Sequence, residues 1–130
     1  MIVLVDYNLN RQAMLLSGSL VAGGWADLIS LRLVTFKAVG LSADSTDCVV
    51  WQFAQANRML LLTANRNAKG EDSLEQVMRE ENLSSSFPII TIADPDRVNE
   101  YDYREQCVER LIEIAIDLQD YLGSGRLFIP

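Results

Sequence analysis

The 130-residue chain contains no histidine. That absence excludes Ser-His-Asp and Cys-His nucleophilic catalysis, His-ligated zinc and imidazole proton shuttling. Any chemistry has to come from carboxylates, amides, hydroxyls, Arg, Lys or a bound ion. There are two cysteines, Cys48 and Cys107, far apart and set in apolar segments. They form neither a Cys-x-x-Cys redox pair nor a thiolate cluster, and both read as buried free thiols. No apolar run approaches the roughly 18 residues needed to span a bilayer. The opening Met1-Ile-Val-Leu-Val-Asp6 also lacks the basic segment of a signal peptide, so a cytoplasmic protein without membrane contact is expected. No Gly-x-Gly-x-x-Gly follows the first apolar run, and no Gly-x4-Gly-Lys-Ser/Thr occurs, which argues against a dinucleotide or nucleoside-triphosphate enzyme.

What is present is 49% hydrophobic and 22% charged, the profile of one globular domain over residues 1–130. A chain of this length buries roughly two-thirds of its unfolded surface and needs no disulfide or structural metal. The net charge is -7, and all of it sits in the second half. Residues 1–65 hold four acids and four bases, whereas residues 66–130 hold fourteen acids and seven bases. Such a chain repels polyphosphate at long range unless an ion or a local basic group inverts the field at the site.

Continuous apolar runs at Met1–Val5 and Met59–Thr63, and the Phe87–Ile92 segment with Pro88 at its entrance, read as buried parallel strands. Leu31–Phe36 and Leu127–Ile129 read as further strands. Between them the spacing predicts helices over about 11–22, with Asn8 or Asn10 as cap, over 45–56, over 74–82 and over 99–122. Strand and helix alternate throughout, which predicts an α/β fold: a three-layer α/β/α sandwich with a mainly parallel central sheet. The acids of the last helix, Glu105, Glu109, Glu113 and Asp117, read as a solvated face.

Ligands bind at the carboxyl ends of such strands. The first strand delivers Asp6, Tyr7 and Asn8 there; the Met59–Thr63 strand delivers Asn65, Arg66 and Asn67, then Glu71 and Asp72; the Phe87–Ile92 strand delivers Asp94 and Asp96. Asp44 and Asp47 join them if the second helix starts on that side, although capping alone also selects acids at a helix start. Carboxylate and amide oxygens without imidazole or thiolate make a hard-oxygen site suited to Mg²⁺ or Mn²⁺.

Two segments carry a family resemblance. Val3-Leu-Val-Asp6-Tyr-Asn8-Leu resembles the strand-end Asp-x-Asn-Leu opening of small bacterial PIN-like proteins. Gly40-Leu-Ser-Ala-Asp44-Ser-Thr-Asp47, followed by Phe53 through Thr63-Ala-Asn65-Arg-Asn67, is similar to that family's middle, where an acid opens a helix and a strand ends in Thr-x-Asp-x-Asp. The matched parts cover roughly the first 75 residues. The resemblance implies a PIN-like fold whose acids hold Mg²⁺ or Mn²⁺ and hydrolyse RNA, often as the toxin half of a toxin–antitoxin pair with an antitoxin-like protein partner.

By position, the resemblance makes Asp6 the first metal ligand and Asp44 the second. Asn65 and Asn67 stand where the family has its third and fourth acids, and Tyr7 stands where an acid is frequent. Neutral amides attract a divalent cation far less than carboxylates. Asp72, rather than Glu71, is the acid that restores charge when its loop folds over the site. The expected catalytic and metal-binding set is therefore Asp6, Asp44 and Asp72, with Asn8, Asn65, Arg66 and Asn67 as substrate-binding residues and Arg66 as a fixed cation toward phosphate. The alternative is a degenerate PIN-like domain that binds a protein or nucleic acid in the same crevice without cleaving it. A third reading is a homodimer module, with Ile114, Ile116 and Tyr121 as its apolar face.

Overall fold

Every position of strand β1 (Ile2–Val5) is apolar, and Val3, Leu4 and Val5 are wholly shielded from solvent. All residues of β3 (Leu60–Thr63) and β4 (Ile89–Ile92) are buried too, and all but Thr63 and Thr91 are apolar. Strands apolar on both sides require cover on both faces, and the computed structural model, which describes residues 1–64 and 73–130, supplies it. Five parallel strands pair in the order β2-β1-β3-β4-β5, with β2 at Arg32–Val34 and β5 at Arg126–Ile129. The two edge strands are the ones that begin with arginine and are partly exposed, as edges that must resist further pairing tend to be.

Side chains alternate across the sheet and divide the core in two. One face carries Val3, Val5, Leu60, Leu62, Ile90, Ile92 and Ile129 against α1 (Asn10–Ala22) and, after α2 (Trp25–Leu28), against the long α6 (Tyr101–Ile116). The other carries Leu4, Leu61 and Ile89 against α3 (Phe36–Val39), α4 (Asp47–Ala56) and α5 (Leu74–Glu81). The chain is therefore an α/β fold with helices on both sides of one parallel sheet.

Several elements differ from their sequence reading for local reasons. Asp6, rather than Asn8 or Asn10, caps the first turn: it accepts from the Tyr7 amide at the head of a 3₁₀ turn, Tyr7–Leu9, that runs into α1. The second strand stops at Val34 because the Thr35 hydroxyl accepts from the Ala38 amide and starts α3, which seats Phe36 in the core. Gly40, at φ +79°, ends that helix in a left-handed conformation that a side chain would strain. The helix expected over 99–122 is instead a 3₁₀ turn at Pro95–Asn99, then α6, a break at Asp117, and a short α7 (Leu118–Tyr121). At the break the Asp120 amide bonds Asp117 O, three residues back, in place of a four-residue step.

Cys107 is fully buried as expected, while Cys48 is only half-buried. The expected dimer face is not formed: Ile114 is wholly inside the core, and the Tyr121 hydroxyl is held by Arg110 and Glu113, leaving Ile116 exposed. Gly18 lies inside α1, where glycine is less favourable than alanine by about 1 kcal/mol, and a Cβ there would meet nothing within 4 Å.

Candidate functional site

The strand order reverses direction between β1 and β3, and in open α/β sheets the crevice outside the carboxyl ends at that point is the place for a ligand. A cavity of about 440 Å³ opens there, lined by Asp6, Tyr7, Asn8, Phe36, Ser45 and Asp47 among others. Asp6 is held firmly. Its amide donates to Leu62 O at 2.9 Å, extending the ladder by one residue, and its Oδ1 accepts from the Tyr7 amide at 2.8 Å. Its Oδ2 accepts from Thr63 Oγ1 at 2.8 Å. Thr63 is 1% exposed, so its hydroxyl has to find a partner inside the protein, and Asp6 is one. Each Asp6 oxygen keeps a further lone pair for a cation or a donor.

Asp47 is the second acid of the crevice. Thr46 caps α4 by accepting from the Val49 amide, which releases the Asp47 carboxylate from capping its own helix. Its Oδ2 instead accepts from the Leu74 amide at 3.0 Å, at the positive end of α5. Asp44, expected as the second ligand, is exposed and bonded by the Ser42 hydroxyl, which is the main cause of a carboxyl held below its usual range; a bond from its own amide adds to this. The cavity wall passes through its neighbours Ala43 and Ser45. Asn8, expected as a substrate-binding residue, is exposed and lines the same cavity. Asn65, Arg66, Asn67, Glu71 and Asp72 lie outside the described residues; Ala64, just before them, lines the cavity. Asp94 and Asp96 flank the start of the 3₁₀ turn beyond β4, where the Asp94 amide is bonded by the Tyr103 hydroxyl oxygen.

Among the described residues no group of three or more acids or thiols comes together to hold a metal ion. Two carboxylates in one crevice remain compatible in kind with Mg²⁺ or Mn²⁺, which take hard oxygen ligands and fill their other positions with water or substrate.

Comparison with protein-family models, with curated proteins and with solved structures finds no match. What the site does therefore rests on its own chemistry.

Two contributors, Thr63 and Lys37, escape the sequence reading, and Tyr7 enters it only as a strand-end residue. Thr63 reads as the last residue of a strand, and only its burial beside Asp6 gives it a role. Tyr7, 49% exposed, contacts the Phe36 ring at 6.4 Å and gives the rim an aromatic surface. Lys37, exposed on α3, lines an adjoining cavity that shares Tyr7, Phe36 and Ala43 with the crevice. A threonine at the end of an apolar strand and a lysine after Thr-Phe carry no signal of their own in sequence.

Proposed function

We propose that this crevice is the site of a divalent-cation-dependent phosphodiesterase of the PIN-like class acting on RNA. The observation that carries the reading is the placement of Asp6 and Asp47 in one cavity at the carboxyl ends of β1 and β3. It agrees with the resemblance of the Asp6-Tyr-Asn8-Leu segment, with Asp47 taking the part expected of Asp44. Mg²⁺ or Mn²⁺ bound there would supply Lewis-acid polarisation of a phosphate and would make a coordinated water more acidic than bulk water. The residues of the chain do the rest. Asp6 and Asp47 provide the anionic oxygens, Thr63 fixes the Asp6 carboxylate in one orientation, and Tyr7 offers a face on which a base can stack. Lys37 offsets part of the repulsion between a phosphate and an acidic protein.

A second reading, a PIN-like module that binds RNA or protein without cleaving it, is favoured by one observation. Both acids already accept hydrogen bonds that hold the fold, Asp6 from Thr63 and Asp47 from Leu74. Incubation of the purified protein with single-stranded RNA and Mn²⁺ separates the two. The enzyme reading predicts cleavage that chelation abolishes and that Asp6→Asn reduces by about a hundredfold or more, with the melting temperature little changed. RNA retained on the protein but intact in the presence of Mn²⁺ would favour the binding module.

A further inference from the structure

On the opposite side of the sheet, α1 and α6 leave a groove between them. Two cavities of about 510 and 260 Å³ share Ser19, Gly23 and Glu105 and so adjoin. The larger is lined by small residues of α1, Gly18, Ser19 and Ala22, and by Met14 and Tyr101, which are 77% and 66% exposed. Gly18 has no internal justification: it weakens the helix, and nothing in the chain approaches it closely enough to forbid a side chain. Gly18 is exposed, so a side chain placed there would project into the groove.

The charge along the groove indicates what that is. Glu105 and Glu109 line it, and neither forms an ion pair or a side-chain hydrogen bond among the described residues. The one base in the wall, Arg104, is turned inward onto Ser19 Oγ at 3.3 Å and Val98 O at 3.0 Å. Two acids to one base thus line the groove, with the base turned away onto neutral acceptors. A second copy of this chain, with net charge -7, would bring the same acids against them.

We propose that the α1/α6 groove is a docking site for one amphipathic helix of a partner protein, whose apolar ridge seats over Gly18 and Ala22 and whose Lys or Arg side chains meet Glu105 and Glu109. This is helix-in-groove recognition, with the acids selecting the sign of the partner. The site is independent of the crevice around Asp6.

The test uses the full chain and two designed 18-residue helical probes with the same Leu/Ala stripe, one flanked by Lys and one by Glu. Binding is followed through the fluorescence of Trp25, which lines the smaller cavity. The Lys-flanked probe is expected to saturate, and the Glu-flanked probe to bind at least about tenfold more weakly. Glu105→Lys with Glu109→Lys should invert that preference. Gly18→Leu should abolish binding without lowering the melting temperature, because the space it fills lies outside the fold; Gly18→Ala, a smaller change, should weaken it in the same direction. The proposal is overturned if neither probe binds, if both bind alike, or if Gly18→Leu leaves binding unchanged. It is equally overturned if sedimentation shows a dimer that Gly18→Leu dissociates, since a second copy would then own the groove.

Discussion

On the sheet face covered by α1 and α6, Val3, Val5, Leu60, Leu62, Ile90 and Ile92 are all apolar and all buried, whereas on the face covered by α3, α4 and α5 the three central strands turn polar toward their carboxyl ends. There Leu4 is followed by Asp6, Leu61 by Thr63 and Ile89 by Thr91, on the same side of the pleat. Thr63 and Thr91 stand in register on neighbouring strands, Asp6 bonds the first, and Arg126 Nη1 bonds the second at 2.5 Å. Thr63 and Thr91 are buried on this face with their hydroxyls bonded to Asp6 and Arg126, as burying polar groups requires. The crevice opens beyond them, at Asp6. One face is packed throughout, and the other ends in the candidate site.

Four substitutions or conditions sharpen that contrast. Leu62→Ala, on the apolar face, should cost about 3 to 5 kcal/mol in urea denaturation, as for a fully buried leucine. Metal binding by the protein that remains folded should be unchanged. Glu75→Ala, on the polar face, removes the partner of Arg126, whose side chain is 9% exposed and lies 2.5 Å from the carboxylate. A loss of about 3 kcal/mol is expected in the same measurement, because a largely buried guanidinium loses a close anionic partner.

The apolar face also has an alkaline limit. Burial pushes the Cys107 thiol from 9.0 up to about 11, and burial raises the nearby Tyr103 phenol as well. The unfolded chain would release the thiol proton first, so stability should be intact below pH 9 and fall as pH rises toward 11. The urea midpoint measured against pH should show this decline, and Cys107→Ala should flatten it. The smallest stability effect belongs to Thr63→Val, which keeps the shape and deletes the hydroxyl. It should cost about 1 kcal/mol yet weaken Mn²⁺ binding about tenfold, since the residue acts by orienting Asp6. Unchanged affinity would mean that the Asp6 carboxylate needs no such support.

The same asymmetry explains what was legible in the sequence. Met1–Val5, Met59–Thr63 and Phe87–Ile92 announce a parallel sheet because strands buried on both faces leave no polar positions to blur the pattern. Asp6 was legible for the same reason: an acid directly after such a run stands out. The second acid was harder to place. The sequence puts the helix start near Ser45, while Thr46 caps a helix that begins at Asp47. With the cap at Thr46, Asp47 stands in the first turn of α4 and lines the cavity, while Asp44 lies ahead of it, and boundaries of that size are what local propensity resolves least well. The pairing of Arg126 with Glu75, 51 residues apart, has no local signature at all. Glu105 and Glu109 read as an ordinary solvated helix face because the groove beside them is made by α1, a different part of the chain.

The most direct test of the central claim, that Asp6 and Asp47 define the working site, is calorimetric titration of the chelator-treated protein with Mn²⁺, alongside Asp6→Asn, Asp47→Asn and Asp44→Asn. Binding in the wild type that is lost in Asp6→Asn and Asp47→Asn and retained in Asp44→Asn is the predicted result. Absence of binding in the wild type, or binding that survives Asp6→Asn, would contradict it.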